Sequence, residues 1–135
     1  MTMRRAADDG QALIELALVL PFLLAFAFGL VLVTDVGIAR LALAHAAAEG
    51  ARVGSLTNDD ERIAHAIAAA VAPLPADRVA IRIAPSEHEA PRANDPRGST
   101  LRVELRYVVP VPLGFAGMPS VAVGGSAARM IEWTP

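Results

Sequence analysis

LALVLPFLLAFAFGLVLVT, residues 16–34, is the stretch on which the fold turns. Its 19 residues carry no charge and are bracketed by Glu15 and Asp35. As a helix the run is roughly 28 Å long, close to the ~30 Å hydrocarbon thickness of a bilayer. A soluble core helix rarely carries apolar residues on every face. The run therefore predicts a single-span membrane protein. Pro21 lies near the start of the span, where a membrane helix is kinked rather than ended.

On either side the composition changes. Upstream, residues 1–10, MTMRRAADDG, form a polar leader ending in glycine. Downstream, IARLALAHAAAEGARVGSL (residues 38–56) continues the helical pattern, and nothing between Gln11 and Ser55 stops a helix firmly. Residues 11–55 are thus predicted as one transmembrane and stalk helix, about 45 residues and roughly 68 Å long, with some 30 Å beyond the bilayer.

Residues 56–135 read as a small α+β domain. Thr57 and Asn58 are candidate caps for a helix whose first turn, Asp59-Asp60-Glu61, places acids where the helix dipole favours them. Ile63, Ala66, Ile67, Ala70 and Val71 mark its buried face, and Pro73 and Pro75 end it. Val79, Ile81 and Ile83 alternate with Ala80 and Arg82 as in a half-buried strand. Leu101, Val103, Leu105, Tyr107 and Val109 alternate more clearly, closed by Pro110 and Pro112. A weaker strand is expected between Ser120 and Glu132, interrupted at Gly124-Gly125. The fold expected is α+β: a long N-terminal helix, a short helix, and an antiparallel sheet of about three strands.

The loop PSEHEAPRANDPRGS, residues 85–99, is long enough to be either mobile or functional. Outside the span only Tyr107, Phe115 and Trp133 supply aromatic bulk. A domain so poor in large side chains would be marginally stable alone, so packing against the stalk or against other subunits is expected.

Composition excludes several functions. A formal charge of −2 and a pI near 5.9 leave no basic footprint for nucleic acid. With 0 cysteines there is no disulfide framework, zinc-thiolate site or thiol nucleophile. No nucleophile, base and orienting acid stand at an interpretable spacing, and no phosphate-binding glycine loop follows a strand. The sequence points to no enzyme, no cofactor and no metal. His45 and Glu49, four apart on a helix, are two side chains and not a metal site. Glu87-His88-Glu89 offers cation ligands but reads as a solvated loop, and His65 as a surface residue.

Gly10 followed by QALIELALVLPFLL, with Glu15 five residues after the glycine, resembles the class III signal of type IV pilin-like proteins. More narrowly, ALIELALVLPFLL, then AAAEGAR at Ala46–Arg52, then a short C-terminal β region, resembles the TadE-like family. Its members are minor pseudopilins of the tight-adherence (Tad/Flp) pilus system, which serves cell adhesion. The resemblance implies a prepilin peptidase cutting after Gly10, so that Gln11 becomes the new N-terminus. It also implies that Glu15, one turn inside that end, pairs with the N-terminal amine of a neighbouring subunit. Such pairing would offset the cost of a carboxylate in lipid, about 2.5–3.5 kcal/mol on insertion scales. Other pilin or TadE-like subunits, the pilus assembly machinery and the membrane are the partners so implied.

The same resemblance implies a leader (1–10) in the bacterial cytoplasm and an extracytoplasmic domain (56–135). Charge alone leaves the orientation balanced, because Arg4 and Arg5 flank one end of the span while Arg40 and Arg52 follow the other. Ala25 and Gly29 form a small-xxx-small pair suited to close helix packing. Other readings stay open. Glu15 also fits a charge flanking an ordinary signal anchor, whose domain would bind a ligand through the 85–99 loop. Ala25-Phe26-Ala27 also fits a signal-peptidase site, which would release a secreted protein.

Overall fold

The computed structural model describes residues 3–111, 114, 117 and 119–134, with side chains from residue 10 onward. Pro112 and Phe115 lie outside the described residues, as do the side chains of the leader. The elements are α1 (Met3–Thr57), α2 (Asp60–Ala70), a 3-10 turn (Ala76–Arg78), β1 (Ala80–Ala84), β2 (Thr100–Pro110) and β3 (Ser120–Met130). The α+β architecture expected from the sequence is the one found. The chain forms two compact units, Met1–Thr34 and Asp35–Pro135. The predicted 11–55 segment is thereby shared between them.

In the first unit α1 is uninterrupted. It begins at Met3, ahead of Gly10, and includes Pro21 without ending there. The apolar run keeps its large side chains outward: Phe22 is 77% exposed and Phe26 73%. The helix meets the length and hydropathy expected of a membrane span, and none of its most apolar window is buried within the chain.

The second unit is built around the other half of α1. Ala39, Leu43, Ala46, Ala47 and Ala51 are buried, at spacings that gather them onto one helical side. The expected stalk is therefore the central helix of the domain. Small residues on this side let neighbours approach closely. A Cβ on Gly50 would stand 2.7 Å from Ile67 Cγ1, and one on Gly54 2.6 Å from Ile63 Cδ1, so α2 packs where α1 has no side chain.

The turn between the helices differs from the expected caps. Thr57 Oγ1 donates back to the Val53 carbonyl at 2.9 Å, inside α1. Asn58 takes φ +52°, a left-handed conformation that asparagine tolerates better than most residues. Asp59 is the actual cap: its Oδ1 accepts from the Arg62 N–H at 3.0 Å. Ile63, Ile67 and Val71 are then buried as the helical period requires, with Ala66 and Ala70 half-buried.

The sheet is antiparallel in the order β1-β2-β3. In β2 every odd position from Leu101 to Val109 is buried. β1 departs from its expected pattern: Val79 is buried but precedes the strand, while Ile81 is 39% exposed. Ile81 pairs with Leu105 at an outer edge of the sheet, where nothing lies beyond it to complete its burial among the described residues. β3 also departs, because it is not interrupted at Gly124-Gly125. Its register with β2 runs unbroken from Thr100↔Met130 to Pro110↔Ser120.

The 85–99 connection is tied down through Arg92, whose side chain is fully buried. Its Nε donates to Asn58 Oδ1 at 2.9 Å, and one terminal nitrogen donates to Asp60 Oδ1 and the Pro85 carbonyl, each at 2.7 Å. Glu87 completes the clasp by accepting from the Asp60 N–H at 2.8 Å, while the Glu87 N–H donates to Asp60 Oδ2 at 3.0 Å.

Candidate functional site

The residues singled out for processing and assembly, Gly10, Gln11 and Glu15, share the exposed N-terminal part of α1. Gln11 and Glu15 lie four apart, so their side chains stack on one helical face. Gln11 Nε2 donates to Glu15 Oε1 at 3.2 Å, and both side chains are exposed. The carboxylate keeps its remaining acceptor positions open to a donor from outside the chain. Gly10-Gln11 lies in helical backbone. A protease acting there must first free the peptide from its helical hydrogen bonds, and a glycine lowers the cost of that unwinding.

Ala25 and Gly29 lie one turn apart in the first unit, both half-buried by the helix around them. Among the described residues, no atom outside the helix's local backbone comes within 4 Å of where a Gly29 Cβ would stand. The pair thus presents a shallow notch on the helix. Thr34 ends the apolar run with its hydroxyl donating to the Leu30 carbonyl at 2.9 Å, which satisfies the polar group without a partner helix.

Glu49-Gly50-Ala51-Arg52 lies within the second unit and has a packing explanation. Gly50 and the fully buried Ala51 form the inner side, against which Ile67 rests. Glu49 and Arg52 point outward and pair, with Arg52 Nε donating at 3.0 Å and a terminal nitrogen at 2.6 Å. The hydrogen bond from Arg52 holds the Glu49 carboxyl below its ordinary range, and the same contact raises Arg52 above its own. The motif therefore encodes a close helix contact with an ion pair on its wet side.

Among the described residues no group of three or more histidine, cysteine or acidic side chains is placed to hold a metal. Asp59 and Asp60 serve the start of α2 and the Arg92 clasp, and His88 Nε2 lies 3.3 Å from Glu87 Oε1. Arg92 and Gly125 are the structural residues that sequence reading missed. An arginine among turn formers has no periodic signature, and a paired glycine in a strand looks like a break.

Residues 10–52 match the model of a protein family described as TadE-like protein, consistent with a TadE-like chain. The matched stretch runs from Gly10 through the exposed apolar run to the Glu49–Arg52 motif. No curated protein and no solved structure matches the chain. The family suggests a Tad pilus-associated protein, and the apolar N-terminal helix suggests membrane anchoring.

Proposed function

We propose that this chain is a non-catalytic minor pseudopilin that takes part in assembling a tight-adherence pilus. The observation that carries the reading is the 10–52 match, in which a glycine, a glutamate five residues on and an uncharged apolar run precede a packed E-G-A-R motif. In this reading the span anchors the chain in the bacterial cytoplasmic membrane with the second unit outside. A prepilin peptidase removes residues 1–10, and Glu15 receives the amine of a neighbouring subunit. Ala25 and Gly29 give the span its closest helix contact.

An apolar surface as exposed as that of α1 needs lipid or other helices around it, which supports both anchoring and subunit packing. The test is deletion of the gene in the native host followed by complementation. Loss of surface pili and of adhesion, restored by the intact chain, supports the reading. Unchanged pili in the deletion strain overturn it.

A further inference from the structure

The second unit has two distinct ends. Gly54 rests on Leu101 and Ile63 at the end where β2 begins. The backbone of Leu43 lies on Gly125, which pairs with Leu105 midway along β2. Asp35, Ile38 and Ala39 share a cleft with Leu74, Tyr107, Val109 and Pro110, where β2 finishes. The α1 segment thus runs antiparallel to β2, and the chain enters the unit at the Pro110 end.

That entry end is apolar. Leu41 is 73% exposed, Val108 56% and Ile38 47%, and Pro73 and Pro110 are also exposed. Ile38, Leu41, Ala42, His45, Ala72 and Pro73 line a second open cleft beside the first. The sequence adds no charge between Arg106 and Arg129. The charges at this end are few and of both signs, with exposed Asp35 lining the first cleft. The opposite end is densely charged with both signs, where Asp59 pairs with Arg62, Asp60 with Arg92, and Glu87 joins Asp60. Exposed Arg40 lies beside the cleft residues on α1, and exposed Arg106 stands near the Pro110 end of β2.

Asp35 directly follows the uncharged run of 16–34, so Ile38 and Leu41 come within about 10 Å of chain rise after the end of a membrane-length segment. Exposed apolar side chains with a few charges of both signs beside them, directly following a membrane-length segment in the chain, match the headgroup layer of a bilayer. We infer that the entry end of the second unit, carried by Ile38, Leu41, Pro73, Val108 and Pro110, rests in the headgroup layer of the membrane. The inference depends on the anchored reading above and extends it from the span to the folded domain.

The chain has no native cysteine, so single labels are clean. Cysteines at exposed Leu41 and Val108, with Glu61 and Glu89 as far-end controls, would each carry an environment-sensitive fluorophore. The full chain would be placed in phosphatidylcholine vesicles with and without phosphatidylglycerol, each containing lipids with quenchers at headgroup depth. The expected result is blue-shifted, lipid-quenched emission at 41 and 108 in both kinds of vesicle, and water-like emission at 61 and 89. Water-like emission at 41 and 108 in chains that resist alkaline extraction overturns the inference and leaves the anchor intact. A blue shift at 41 without lipid quenching also overturns it, since a protein then covers the cleft. Chains released by alkali overturn the anchored reading itself.

Discussion

Gly125 of β3 lies against the backbone of Leu43 in α1, so close that a Cβ would stand 2.6 Å from the Leu43 carbonyl carbon. Such a distance is available only to glycine, because the atom met is backbone and cannot rotate away. The contact brings the helix onto the sheet at the middle of β2, beside the buried Leu105. It explains how a domain with few large side chains is packed: the helix comes down to the sheet instead of side chains filling a gap.

Gly125→Ala should therefore force the helix off the sheet and destabilise the second unit by about 1–3 kcal/mol. Gly124→Ala is the control, because its added Cβ meets the Leu105 carbonyl oxygen at 3.2 Å, tight but within reach of a small adjustment. Protease resistance of the full chain in detergent, titrated with urea, measures both. Equal resistance of the two variants would show that the helix is not held at Gly125.

Arg92→Met keeps the bulk of the side chain and removes its donors. The Asp60 carboxylate, the Pro85 carbonyl and Asn58 Oδ1 would then lose a partner in a largely buried setting. A loss of about 2–4 kcal/mol is expected, reduced from that of a fully buried pair because Asp60 keeps some contact with water. Proteolysis should begin within 86–99. The exposed Arg97→Met should change stability by less than about 0.5 kcal/mol.

The alternation of β2 makes a paired test. Val103→Asp places a carboxylate in the buried row between β2 and α1 and should unfold the second unit. Glu104→Lys faces outward, where Glu104 lies opposite Arg82 and 3.9 Å from an Arg102 nitrogen. Its cost should stay near or below about 1 kcal/mol, from lost attraction and new like-charge contact. Near-ultraviolet circular dichroism and protease resistance distinguish the two outcomes.

What the sequence made readable was whatever repeats. The 2-residue period of Leu101–Val109, the helical spacing of Ile63, Ile67 and Val71, and the uncharged run each announce themselves through neighbours of one kind. What escaped depended on contacts between distant segments. The cap moved from Thr57 and Asn58 to Asp59 because Asn58 makes the reversal that brings α2 onto Gly50 and Gly54. β3 continues through Gly124-Gly125 because α1 occupies the space where a Gly125 side chain would be. Arg92 anchors a loop only because Asn58 and Asp60 come to meet it. Gly10, Gln11 and Glu15 were legible as a motif, yet the chemistry assigned to them lies between molecules, so folding one chain brings no partner to them beyond the Gln11–Glu15 hydrogen bond.

Glu15→Gln tests that intermolecular chemistry. Glutamine keeps the size and the hydrogen bond from Gln11 while removing the charge that would attract an amine. Membrane insertion should be unchanged or slightly favoured, since a neutral group costs less in lipid. Incorporation into sheared pili should fall severalfold, read by immunoblot against the membrane fraction. Normal incorporation would leave Glu15 as a charge flanking the span.

The mature N-terminus separates the pseudopilin reading from its rivals in one measurement. Protein from the native host, analysed by intact mass or terminal sequencing, should begin at Gln11. Both the glycine before that junction and the glutamate five residues beyond it are where the pilin-like signal requires them. A start at Phe28 would mean cleavage after Ala25-Phe26-Ala27 and would remove most of the span, ending the anchored reading. A start at Met1 or Thr2 would favour a plain signal anchor. Gly10→Leu sharpens the result, because a branched side chain blocks close approach to the backbone and restores helix propensity at the junction. The full-length chain should then accumulate in the membrane with its second unit as protease-resistant as before, since among the described residues nothing beyond the local helix lies within 4 Å of a Gly10 Cβ. If Gly10→Leu is still shortened to Gln11, the cut does not depend on the glycine, and the peptidase assigned to it is the wrong one.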